Sequence, residues 1–142
     1  THLASSAASD VYKRQVDLLT WMHQNKVDYT NTFCHLMNLK DYDDDSYKDD
    51  NFQNWKKNWQ ERLKLNNNTP ENYIKLMRSV NPLVIPRNHK IEESLEKAND
   101  NNLKSFNKLS EILKKPYAIQ ENISDYLKMD SSLKEYKTFC GT

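Results

Sequence analysis

Glycine is all but missing, with Gly141 the only one in 142 residues. Tight hairpins, phosphate-cradling loops and glycine-rich crossover turns need positive φ or close backbone approach, so one absence removes them together. Walker loops, dinucleotide fingerprints and serine nucleophile elbows go with them. Net charge is lacking too. Lys and Arg number 21 against 20 Asp and Glu, which leaves +1 and none of the basic excess of a nucleic-acid binder. The longest apolar runs, such as Leu83 to Ile85, are far too short to cross a bilayer, and the start has no charged-then-apolar order of a secretory signal. The two cysteines, Cys34 and Cys140, lie far apart and make no disulfide framework, which fits a reducing compartment. These absences predict a soluble, intracellular chain with neither nucleic acid nor membrane as partner.

What is present favours helices. Hydrophobic residues make up 37% and mean hydropathy is −0.99, enough for a thin core, while 11% aromatics is too much for a typical disordered segment. Residues 1–15 (THLASSAASDVYKRQ) lack apolar periodicity, and Asp10 to Gln15 look like a translated frame of a sequencing-library adapter. They are expected to be non-native or disordered, with the natural protein starting near Val16 and continuing upstream.

From there the helical period repeats. Val16, Leu19, Met22 and His23, widened by Leu18 and Trp21, mark a first helix; Asp28 caps a second carrying Tyr29, Phe33, Leu36 and Met37. Phe52, Trp55, Trp59 and Leu63 stripe a third, with Lys56, Lys57, Glu61 and Arg62 on its wet side, and Asn66 to Asn68 stop it. Thr69 followed by Pro70 and Glu71 starts a fourth, whose inner face is Tyr73, Leu76, Met77 and Val80. Pro82 and Pro86 impose an extended stretch, after which Asn88 caps a helix with Ile91, Leu95 and Ala98. Leu103, Phe106, Leu109 and Leu113 form its antiparallel partner up to Pro116, and one or two short helices with a docked tail follow Ile119. The expected class is mainly α: packed helices with a short proline-rich extended stretch.

Chemistry is hard to find. Asp41, Asp43 and Asp45 alternate as in a calcium loop, but Ser46 and Phe52 stand where glycine and a bidentate carboxylate are required, so the acidic run is expected to be a solvated, poorly ordered loop. His23, Cys34, His35 and His89 show no zinc-pair spacing, and Cys34 reads as a small buried hydrophobe. The Phe52, Trp55 and Trp59 stripe reads as core rather than as a stacking platform. Arg87 has two readings: a fork for phosphate or carboxylate, or an anchor of the Pro82 to Pro86 segment against acidic neighbours, the second being favoured.

Several separated motifs resemble one family. VNPLVIPRNHKIEESL (Val80 to Leu95), KKPYA (Lys114 to Ala118), the terminal YKTFCGT, VDYTNTFCHLMN (Val27 to Asn38) and WQERL (Trp59 to Leu63) occur in the order and spacing of the selenoprotein O family, also called YdiU or UPF0061. The resemblance covers residues 16–142 and implies the C-terminal helical segment of a protein kinase-like fold. The family's core binds ATP with Mg²⁺ in an inverted pose and transfers AMP to Ser, Thr or Tyr hydroxyls of proteins. None of that core's motifs is in this sequence, so no catalytic, cofactor or metal residue is carried over, and the piece itself is expected to be inactive. Its implied partners are an N-terminal kinase-like core and the protein substrates of the whole enzyme; its implied compartment is the bacterial cytoplasm, or the mitochondrion in a eukaryote. Cys140, third from the end, matches the family's redox-associated cysteine or selenocysteine, with a partner cysteine in the core. Cys34 departs from the pattern, since a basic residue is expected after that Phe. Arg87 and Asn88 match the Arg-Asn that opens a helix. A rival reading, from another class, is a free-standing helical interaction module with an exposed Trp and Tyr surface.

Overall fold

The computed structural model describes residues 2–130, with side chains from residue 9 onward. Among the described residues there are seven α-helices and no strand: α1 (His2–Asn25), α2 (Tyr29–Leu36), α3 (Asp50–Leu65), α4 (Pro70–Val80), α5 (Asn88–Asn99), α6 (Lys104–Leu113) and α7 (Ser124–Leu127). Two 3₁₀ turns, Lys40–Tyr42 and Asp45–Lys48, lie between α2 and α3.

The scarcity of glycine is met at the helix ends by asparagine. Asn38, Asn67 and Asn101 take positive φ just beyond α2, α3 and α5, where a short amide side chain tolerates the left-handed region. Each closes its helix with the same pair of backbone bonds, as in Asn67 N to Lys64 O at 3.0 Å and Asn68 N to Leu63 O at 2.9 Å. The end of α1 has this double bond as well, but with Lys26 at φ 51°, a residue that gains nothing from that conformation. Helix starts follow the expected chemistry at two places: Asp28 accepts from Asn31 N at 2.8 Å, and Thr69 from Asn72 N at 3.3 Å with Pro70 in the first turn.

Three expectations about helix starts and the acidic segment need correction. Helix α1 starts at His2 instead of near Val16, because no Pro or Gly interrupts the stretch before it, and Arg14 O accepts from Trp55 Nε1 at 3.0 Å. Asn88 does not cap α5. Arg87 is the cap residue by backbone, extended at φ −99° and ψ 129°, and no side chain makes a cap bond there; Asn88 is already helical. The acidic run is ordered rather than loose, because it delivers a buried tyrosine to each half of the core and its carboxylates have local work. Asp44 accepts from Ser46 N, and Asp49 caps α3 through Phe52 N while also accepting from Trp21 Nε1 at 2.8 Å.

Two apolar clusters share α2 as their wall. One gathers Cys34, Met37, Tyr42, Leu83, Val84, Ile112, Ile123 and Leu127; the other gathers Leu18, Trp21, Met22, Leu36, Tyr47 and Phe52. Phe52 sits against Trp21 at 4.5 Å between ring centroids, and the aromatic series continues outward through Trp55, Trp59 and Tyr73. Of the stripe expected as core, Phe52 is fully buried, whereas Trp55 and Trp59 are half-buried and pack against the cluster from its edge. The extended stretch between α4 and α5 is a strap threaded through the first cluster. Leu83 and Val84 donate their backbone N–H groups to Pro116 O, at 2.7 and 3.3 Å, and Leu83 O accepts from the Tyr42 hydroxyl at 2.6 Å. Helices α5 and α6 pack together as the expected pair.

Candidate functional site

The strap ends on Arg87, whose side chain makes three hydrogen bonds inside the chain. Its two terminal nitrogens donate to Asp28 Oδ2 at 2.6 Å and Oδ1 at 3.0 Å, and one reaches Asn31 Oδ1 at 3.2 Å. Asn31 in turn donates from Nδ2 to Leu127 O at 2.9 Å. Four groups thereby tie the start of α2, the start of α5 and the end of α7 to one point. Asp28 serves twice, since the same carboxylate caps α2. Burial alone pushes its carboxyl up, but the Arg87 fork and the amides of Asn31 and Thr30 outweigh this and hold it below the ordinary carboxylate range. Arg87 Nε is buried without a partner, so the guanidinium is not fully satisfied. With both terminal nitrogens engaged inside the chain, the geometry uses Arg87 as a carboxylate fork and strap anchor. Asn88 is exposed at the first turn of α5, outside this network. Cys140 lies outside the described residues.

Cys34 is fully buried, its Sγ 3.6 Å from Pro82 O, and desolvation followed by the nearby Asp28 charge pushes the thiol up to about 12. It is an inert core residue at ordinary pH. A constellation that sequence reading did not assemble lies at the other face of α2. His35 Nδ1 is 2.7 Å from Asp43 Oδ1, and His35 Nε2 is 3.5 Å from Lys56 Nζ. No spacing rule links positions 35, 43 and 56, and Lys56 is half-buried although it belongs to a set expected mostly on the wet side of α3.

A large open feature among the described residues is mainly apolar. A groove of about 780 Å³ between α1, α2 and α3 is lined by Val11, Leu19, Tyr29, Phe33, Trp55 and Trp59, among others. Leu76 and Val80 of α4 are each 64% exposed, and Leu95, Leu103 and Phe106 leave a second uncovered face on α5 and α6. The Leu76 and Val80 positions, expected inside, point outward because α4 packs through Tyr73, Ile74 and Met77. Scattered exposed apolar side chains are ordinary, but Leu76 with Val80 one turn apart on α4, and Leu95 with Phe106 on one lining, are grouped as a covering partner would need.

No three His, Cys, Asp or Glu side chains among the described residues converge on a metal-sized site. No described helix is long and apolar enough to cross a membrane.

Comparison with known proteins covers nearly the whole of this architecture. Residues 2–114 match the family described as Protein adenylyltransferase SelO. The chain is 45% identical over 128 residues to the protein nucleotidyltransferase YdiU of Pelagibacter ubique (strain HTCC1062), covering 89% of this chain and 26% of that protein. The corresponding proteins of Alcanivorax borkumensis and Clostridium beijerinckii are each 39% identical, with the same shares covered. The chain thus spans about a quarter of the length of the curated relatives it matches.

Proposed function

Because the chain belongs to the protein adenylyltransferase SelO family, we propose that residues 16–142 act as the C-terminal helical scaffold of a longer enzyme that transfers AMP from ATP to protein hydroxyls. The observation that carries this reading is the apolar surface left bare on α1, α4, α5 and α6. A kinase-like core from the rest of the protein is the cover we assign to it. ATP, Mg²⁺ and the protein substrate belong to that core, and the scaffold's own contribution is mechanical: the Arg87 node and the strap hold α2, α5 and α7 in one arrangement. We further assign Cys140 the role of a redox-sensitive tail that pairs with a cysteine of the core.

The test is to recover the uninterrupted gene, express its product, and measure transfer of labelled AMP from ATP to protein with and without residues 16–142. The proposal expects transfer by the whole protein and none by this segment alone. A reading frame without any upstream nucleotide-binding core would sink it and leave a free-standing interaction module.

A further inference from the structure

Three elements meet at His35. The imidazole lies flat on Tyr47, ring centroids 4.1 Å apart and planes 13° from parallel, and tilts against Phe52 at 5.7 Å. Packing therefore fixes the ring plane, and the Asp43 carboxylate at Nδ1 fixes the tautomer, since a carboxylate can only accept. The proton sits on Nδ1 and the lone pair of Nε2 faces Lys56 Nζ. This order of acceptor, imidazole and nucleophile is the arrangement by which a weak nucleophile is activated.

We propose that Lys56 is an acylation site, whose amine takes an acyl group directly from small acyl phosphates with His35 as proton acceptor and Asp43 as the group that orients the imidazole. The ammonium first passes a proton to His35 Nε2. The freed lone pair attacks the acyl carbon, the N–C bond forms, and the C–O bond to phosphate breaks with its electron pair leaving on phosphate. The second amine proton departs with that phosphate, and His35 returns its proton to water. No oxidant or further co-reactant is needed. Desolvation lowers Lys56 from its ordinary value, which eases loss of its proton although the Asp43 charge opposes this; it lowers His35 as well, which keeps Nε2 open but makes the ring a weaker base, so the contact geometry and not the titration singles out Lys56. The contact between His35 and Asp43 is accordingly a hydrogen bond donated by the Nδ1–H of a neutral ring to the carboxylate.

Nearby lysines lack this setting. Lys57, the next residue on α3, is exposed, and Lys48 is paired with Asp45 at 2.5 Å, which favours its charged form. Acetyl phosphate is the probe: the full chain, its helical circular dichroism intact, is treated near neutral pH and acetylation of each lysine is followed by peptide mass spectrometry. Lys56 is expected to react several-fold faster than Lys57 and Lys48, and the preference is expected to vanish in urea. Two variants separate proton acceptance from packing: His35→Phe keeps an aromatic on Tyr47, and His35→Gln keeps a polar acceptor that cannot take up a proton. Both should bring Lys56 down to the rate of Lys57. Equal rates for Lys56 and Lys57 in the folded chain, or a preference that survives both substitutions, would overturn the proposal.

Discussion

Replacing Arg87 with Met should cost this chain more than any surface change, and the size of the loss follows from the node's geometry. The side chains of Arg87 and Asp28 are 10% and 15% exposed, so solvent screens their attraction weakly. Removing one member of a buried pair leaves the other charge uncompensated, a loss of about 3–5 kcal/mol. Asp28 would keep the Asn31 amide at 2.8 Å, which places the expected loss near the low end, about 3 kcal/mol, or roughly a 10 °C fall in melting temperature for a chain of this length. The pH dependence has a definite sign. Asp28 is held below its ordinary range, so its contribution is present above the unfolded value of about 4 and disappears as pH falls through the folded one. The gap between wild type and Arg87→Met should therefore be full at neutral pH and shrink below about pH 4. Urea and thermal melts followed by circular dichroism would read both quantities. A loss under about 1 kcal/mol at neutral pH, the range of an exposed pair, would refute the reasoning, as would a gap that does not change with pH.

Other consequences are smaller. Asn88→Ala should change stability by no more than about 0.5 kcal/mol, since no cap bond is lost; a loss near 1 kcal/mol would restore the capping role. Lys26→Gly should stabilise by about 0.5–1 kcal/mol, because φ 51° suits glycine and not lysine; a destabilised variant in the same melts would count against that account of the α1 end. Cys34, buried and pushed up to about 12, should resist iodoacetamide near neutral pH and label only on unfolding in urea. Labelling at the same rate in native buffer would contradict the burial.

The helices were legible where punctuation was strong. Thr69-Pro70, Asp28 and the asparagines after Leu65 each bring a local mechanism, and the structure uses each of them. What sequence could not show was which face a helix turns inward once its neighbours choose. Leu76 and Val80 have the period of a core face yet stand outside, and Ser94 is buried where Leu95 was expected. The acidic run misled for a related reason. Its charges were read together, whereas Tyr42 and Tyr47 decide its course by reaching one core cluster each. Arg87 was legible as an anchor because Pro86 precedes it and acidic residues were available, but its partner Asp28 lies 59 positions away. The His35, Asp43 and Lys56 grouping depends wholly on how α2, the acidic segment and α3 meet, and nothing in one dimension marks it.

The claim that this chain is a scaffold with a covered apolar face is tested most directly by hydrogen–deuterium exchange of the isolated chain beside the whole gene product. Peptides spanning Val11 to Leu19 and Leu103 to Phe106 should exchange much more slowly in the whole protein, because a core lies over the side chains left bare here. Equal uptake of those peptides in both samples would mean that nothing covers these faces, and the scaffold account would be wrong.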